Sequence, residues 1–311
     1  MSDIAQNLFQ SIRWLNIIIG IPLFVFGIIG SILTICIFIR TKFRNTSSVR
    51  YLIASSIANF IQLVQTLLPR ILTDGFAILL VKSNTDYCKA RNYIAAVATL
   101  CSLSFPCWAS FDHFVSTSRN ANRRKYWTSK IFVYFAIFGT ILFWLIIQLP
   151  IVIFSKANGE SCITTNIIST YIYAYGVTPM AYTILPMGVV IYFNIGIVRN
   201  LRQSRFIGIV HINNRLVRQV RRMLIPQLII LILSGIPYSI QTIYSVATVL
   251  QKKSYLQLAI ESVILNIVRL LFYLNYVCSF YIYYIMSSEI RRELKRLFYQ
   301  HNSILPERTT A

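Results

Sequence analysis

Stretches free of Asp, Glu, Lys and Arg recur along the chain at intervals that define its architecture. They run over residues 14–39, 51–69, 92–111, 131–155, 161–198 and 223–251, with a last one at 270–288. A helix needs about 20 predominantly apolar residues to cross the hydrocarbon core of a bilayer. Six runs meet that need directly. The last is extended upstream by apolar residues from about Leu256, interrupted only by Glu261 and Arg269. The run 161–198 holds one span and a loop, because its residues 162–170 are polar. The pattern therefore predicts an all-α membrane protein with seven transmembrane helices. Runs this solid exclude a membrane β-barrel, whose strands are alternating segments of about 10 residues. The first run is too long for a signal peptide and lacks a small-residue cleavage site, so it reads as the first span.

Charge gives the bundle an orientation. The 311 residues carry 30 Lys and Arg against 9 Asp and Glu, a net charge of +21, while 56% are hydrophobic. A soluble chain this basic would suggest a nucleic-acid binder, but the mean hydropathy of +0.62 argues against that and no nucleic-acid partner is expected. Of the 30 basic residues, 21 fall in the connections 40–50, 119–130 and 199–222 and in the tail after 288. The positive-inside rule then puts the N-terminus outside and the tail in the cytoplasm. The expected organisation is a short extracellular segment 1–14, a bundle over 15–287, an amphipathic cytoplasmic helix over 288–300 and a tail 301–311. In the predicted short helix Ser288 is the expected N-cap, followed by Glu289. Ile290, Leu294, Leu297 and Phe298 recur on one face, with Arg291, Arg292, Lys295 and Arg296 around the other. That pattern suits a helix lying on anionic inner-leaflet lipid.

Four of the six cysteines, Cys36, Cys101, Cys107 and Cys278, fall inside spans and read as buried apolar thiols. Cys88 and Cys162 flank spans on the outer side, where they are either free thiols or a disulfide; an oxidising compartment favours the bridge. The three histidines, His113, His211 and His301, have no metal-ligand spacing, so no metal, no cofactor and no enzyme chemistry is expected.

Seven spans, an outer N-terminus and this cysteine pair resemble the rhodopsin-like (class A) G-protein-coupled receptors over about residues 15 to 300. Gly30, in Gly-Ile-Ile-Gly-Ser, lies where that family shows Gly then Asn. Ser56-Ile57-Ala58-Asn59 is similar to the second-span Leu-Ala-x-x-Asp motif, with Asn59 in the place of the acid. Asp112-His113-Phe114 stands where the family shows Asp-Arg-Tyr, and Pro186 resembles its fifth-span proline. Ser234-Gly235-Ile236-Pro237 resembles Cys-Trp-x-Pro, and Ser279-Phe280-Tyr281-Ile282-Tyr283 resembles Asn-Pro-x-x-Tyr. The resemblance implies the Cys88–Cys162 disulfide and an activation switch drawing on Asp112, His113, Asn59, Pro237, Ser279 and Tyr283. His113 cannot form the bidentate fork of an arginine; it is either a partner of Asp112 or a neutral interfacial side chain. Asn59 is expected in a neutral hydrogen-bonded cluster with Ser102 and Ser279.

Ionisable side chains inside spans cost about 2.5–3.5 kcal/mol each on insertion scales and are functional suspects by default. Arg269 is the leading one, with Tyr273 one turn deeper and Asn266 one turn outward on the same face. Arg70 with Gln65 and Gln62 on the second span, and Tyr238 beside the sixth-span proline, are expected to face the same cavity. This set predicts a cationic pocket for an anionic ligand such as a peptide C-terminus. The alternative is that Arg269 pairs with Glu261 or a carbonyl and that Arg70 snorkels outward. No acid lies in the outer half of the third span, which argues against an amine ligand. The expected function is a plasma-membrane receptor passing binding of an extracellular ligand to a heterotrimeric G protein. A weakly coupling decoy or scaffold is the second reading, and a transporter the third, since neither internal repeats nor paired intramembrane acids are present.

Overall fold

The computed structural model describes residues 2–40, 46–78, 84–118, 120–157, 162–205, 214–249 and 251–302. Seven helices are long and apolar enough to cross a membrane: α1 (Ile4–Ile39), α2 (Ser47–Gly75), α3 (Thr85–Ser116), α4 (Lys130–Phe154), α5 (Ile167–Asn200), α6 (Ile225–Ala247) and α7 (Tyr255–Met286). This is the architecture of an all-α membrane bundle. A last helix, α8 (Ser288–Asn302), follows α7 directly. The described residues hold one small sheet, an antiparallel hairpin between α4 and α5 of β1 (Ser155–Ala157) and β2 (Cys162–Thr164).

Local sequence explains where these helices start and bend. Asn84, Ser129, Asn166 and Ser254 each use a side-chain oxygen to accept backbone N–H groups at the starts of α3, α4, α5 and α7. Such caps satisfy donors that a helix cannot satisfy internally. Wide π-helical turns at Asn16–Gly20, Leu63–Leu67 and Met180–Ile184 each stand just before a proline, Pro22, Pro69 and Pro186. Proline lacks an N–H and crowds the carbonyl four residues back, and a widened turn relieves both problems. By contrast Pro106 in α3 and Pro226 and Pro237 in α6 are carried within unbroken helix.

The bundle is built around α3. Two-thirds (67%) of the most apolar window of α3 is buried, against 11% for α4. Accordingly Ile131, Phe135, Phe138 and Phe143 of α4 point outward, as side chains facing lipid must. Two indole N–H groups tie this peripheral helix to the centre: Trp108 donates to Thr140 Oγ1 at 2.9 Å and Trp144 to Ser104 Oγ at 2.9 Å. Small residues set the closest crossings. A Cβ on Gly27 would lie 2.5 Å from Leu63 Cδ1 and 3.0 Å from Val277 Cγ2, so a larger residue there would have to push these side chains aside where α1 meets α2 and α7. The core then falls into two main layers. Leu63, Leu67, Leu103, Leu231, Phe272 and Tyr276 fill the half nearer the hairpin. Tyr51, Ala109, Val133, Phe280, Tyr283 and Ile290 fill the half nearer the arginine-rich connections.

Two ends of the chain differ from the expected organisation. The segment read as a short outer tail is helix Ser2–Leu15, continuous with the rest of α1. Ala5 is fully buried, Arg13 Nε donates to the Gly75 carbonyl at 2.9 Å, and the rings of Phe9 and Tyr255 lie 5.7 Å apart. An apolar stripe along this segment therefore docks it against α2 and α7. At the other end Ser287, not Ser288, caps α8: its Oγ accepts from Ile290 N at 3.2 Å. Ile290 is buried and Leu294 and Leu297 pack against the core, while Arg291, Arg292, Lys295 and Arg296 are exposed. The side chain of Phe298, and residues 303–311, lie outside the described residues. Buried Glu293 is held by Arg296 at 2.7 Å and Arg40 at 3.8 Å, pairings that helical periodicity alone did not reveal.

Candidate functional site

The Cys88–Cys162 disulfide, with Cα atoms 5.8 Å apart, joins the start of α3 to β2. Asn92, one turn along α3, donates to Cys162 Sγ at 3.0 Å and reinforces the junction. The hairpin is thereby held over this end of the bundle, and Ser155 and Thr164 form part of the wall of a cavity of about 400 Å³. The other walls come from α2, α3, α5, α6 and α7, with Ile151 of α4.

One side of the cavity is cationic. Arg70 of α2, Arg91 of α3 and Arg269 of α7 all line it. Arg91 Nε donates to the backbone carbonyl of Gln65 at 2.9 Å, which sets its side chain across the gap between α2 and α3. Arg70 lies 3.7 Å from Asp74 one turn away, but its Nε is buried without a hydrogen-bond partner. Arg269 makes no hydrogen bond or ion pair among the described residues. Three half-buried arginines against one aspartate leave two positive charges facing this partly open cavity without a counter-charge. Burying charge without counter-charge is expensive, so this arrangement is not explained by stability.

Another part of the lining is aromatic. Tyr238 of α6 stacks on Phe272 of α7 with centroids 4.6 Å apart and planes 16° apart. Tyr182 of α5 extends the stack, 6.3 Å from Tyr238 and 6.2 Å from Phe272. Behind it Tyr173 hydrogen-bonds to Gln148 at the end of α4, which fixes one more wall residue.

Of the side chains that the sequence singled out, Arg269, Tyr273, Arg70 and Tyr238 meet at this cavity, and Gln62 joins them. Gln65 and Asn266 do not line it. Residues 62, 66 and 70 share one side of α2, and Gln65 points elsewhere while only its carbonyl serves Arg91. Asn266 is turned to α1, where its Oδ1 accepts from Asn16 Nδ2 at 3.1 Å in a buried contact. The alternative of an Arg269–Glu261 pair is also not realised. Glu261 is engaged by Lys253 at 2.5 Å, Tyr244 at 3.0 Å and Gln257 at 3.1 Å. Arg91, Tyr182 and Phe272 were missed. Arg91 carried a signal, since it lies three residues after Cys88 and opens the third apolar run.

The residues expected as a switch do not meet at one place but fall into separate groups. Asn59 accepts a hydrogen bond from Ser102, and Ser55 donates to the Ser102 carbonyl at 3.2 Å. Ser279 is not part of that cluster. It donates to the Asn275 carbonyl at 3.0 Å and receives Gln227 Nε2 at 3.4 Å, while Tyr283 donates to Gln227 Oε1 at 3.3 Å. Asn275 Nδ2 in turn donates to Ser234 Oγ at 2.5 Å, so this second network links α6 to α7. Gln227, a polar residue in a long apolar run, is its hub and was missed. Asp112 Oδ2 accepts from Ser47 at 2.7 Å and Ser48 at 2.5 Å on α2, not from His113. His113 is buried and its Nε2 has no partner among the described residues. Pro237 is only partly buried. Close by, Thr183 of α5 donates to the Gly235 carbonyl at 3.2 Å and meets Ser239 Oγ at 2.9 Å. No family model matches the chain, and no curated protein matches it.

Proposed function

We propose that this chain is a seven-span receptor of the rhodopsin-like kind, with the hairpin end outside the cell and the arginine-rich connections in the cytoplasm of a plasma-membrane protein. Its ligand is anionic, a peptide carboxylate being the model, and occupies the cavity between Arg70 and Arg269. Binding there is passed to a heterotrimeric G protein at the opposite end, whose basic residues also contact anionic lipid. The observation that carries this reading is Arg269: a charged side chain deep in a span, facing a cavity large enough for a small ligand, with no partner of its own among the described residues. Pockets of a few hundred cubic ångströms with a few convergent polar groups are the usual form of a small-molecule site. The test is a G-protein recruitment assay in cells against a library of peptides and small anions. Arg269→Ala at normal surface expression should lose the response; an unchanged response sinks the reading.

A second reading, a receptor that binds ligand but couples poorly, is favoured by one observation. Asp112 is committed to Ser47 and Ser48, and His113 is shut in beside it with no charged fork facing the cytoplasmic end. A wild-type chain silent in the recruitment assay, whose His113→Arg variant signals, would establish that alternative.

A further inference from the structure

Resting on the reading of this cavity as a ligand site, we infer that its ligand carries a doubly charged oxyanion group on a short aromatic or otherwise flat apolar body. The charge count comes first. A single carboxylate would balance one of the two uncompensated positive charges on Arg70, Arg91 and Arg269 and leave the other half-buried without a counter-charge. A dianionic group, such as a phosphate monoester or a pair of adjacent carboxylates, balances both. Arginine is suited to that task, because its planar donors meet oxyanions in pairs. Arg70 retains a buried Nε–H with no acceptor, and Arg269 retains its whole guanidinium, so donors are already in place for several oxygens.

The placement of Arg91 supplies the second point. It is the arginine contributed by α3, and its Nε is anchored on the Gln65 carbonyl. It therefore reaches the cluster from α3, whereas Arg269 reaches it from α7. Two cations converging from different helices, with Arg70 between them on α2, grip a compact multivalent head better than a single carboxylate.

The body of the ligand is set by the aromatic part of the lining. Tyr182, Tyr238 and Phe272 lie in near-parallel stacked pairs, with interplanar angles of 16° to 22°. A flat apolar group extends such a stack with offset ring contacts. The space of about 400 Å³ accommodates a small molecule or the end of a peptide, not a folded partner.

The experiment uses the full chain purified in lipid nanodiscs, without G protein, and follows thermal unfolding at slightly alkaline pH. The probes are phenyl phosphate, benzoate, inorganic phosphate and benzylamine. Phenyl phosphate should stabilise the protein with an apparent Kd about tenfold below that of benzoate, through one extra charged contact, and below that of inorganic phosphate, through its ring. Benzylamine should have no effect. Arg91→Gln should reduce the preference for phenyl phosphate over benzoate to less than about threefold with benzoate itself little changed, and Arg91→Lys should keep most of the preference. Phe272→Leu should narrow the gap between phenyl phosphate and inorganic phosphate. Equal stabilisation by benzoate and phenyl phosphate, or an Arg91→Gln variant that keeps the full preference, overturns the inference. Because no G protein is present, a receptor silent in cells does not touch this result. Loss of the dianion preference in turn leaves the receptor reading to its own assay.

Discussion

The two halves of this bundle handle polarity in opposite ways. In the half nearer the arginine-rich connections, the buried acids and several buried neutral groups have partners. Asn59 pairs with Ser102, and Gln227 with Ser279 and Tyr283, across helices; of the buried acids, Asp112 takes two serine hydroxyls and Glu293 takes Arg296 and Arg40. In the half under the hairpin, three arginines share one aspartate, and donors on Arg70 and Arg269 are left over. The contrast separates polarity that holds helices together from polarity held in reserve. Interhelical hydrogen bonds in membranes contribute roughly 0.6 kcal/mol on average, enough to fix a register. Unbalanced charges contribute nothing to folding and make sense only when something else supplies the counter-charge.

The comparison breaks most readily at the disulfide. The Cys88–Cys162 bridge closes a sequence separation of 74 residues at the end where like charges repel. Cys88→Ser should lower stability by about 2–5 kcal/mol and reduce binding of the anionic probe, as seen in thermal unfolding with and without phenyl phosphate. A variant that keeps both would mean that helix packing alone holds the cavity. Next comes the paired half. Asp112→Ala leaves the Ser47 and Ser48 hydroxyls without their acceptor and should cost about 1–3 kcal/mol, a loss visible in the same unfolding measurement. The smallest effect has the opposite sign. Arg269→Leu removes an unpartnered buried charge and should raise the stability of the ligand-free protein by about 1 kcal/mol, as relief of a functional strain does, while the anionic probe loses its effect. Destabilisation by Arg269→Leu would show that the guanidinium has a structural partner after all.

Much of this was legible before any coordinates. Arg269 stands out because a charge inside an apolar run is rare and costly, Arg70 was drawn in through Gln62 and Gln65 on the same span, and both do line the cavity. Tyr273 and Tyr238 followed from helical spacing relative to them and from the neighbouring proline. The misplacements have a common origin. Asn266 was placed with Arg269 because three residues separate them, yet a neighbour on the helix surface can still fall on the side facing another helix, here Asn16 of α1. Gln65 failed for a similar reason within α2, where residues 63–67 form a wide turn that shifts every later side chain around the axis. Arg91 was overlooked because it sits at the border of its apolar run, where a basic residue ordinarily marks only the edge of a membrane.

The sequence by itself determined the number of membrane-crossing helices and the positions of the intramembrane charges. These depend on local runs of side chains meeting one thickness of hydrocarbon, a property that needs no knowledge of neighbours. Tertiary structure alone decided which charges share a cavity, that Asp112 answers to Ser47 and Ser48 rather than to His113, and that Ser279 joins Gln227 instead of Asn59. Those outcomes hinge on the rotation of each helix about its own axis. Proline-linked wide turns and the close crossing at Gly27 set that rotation, through packing between segments far apart in the chain.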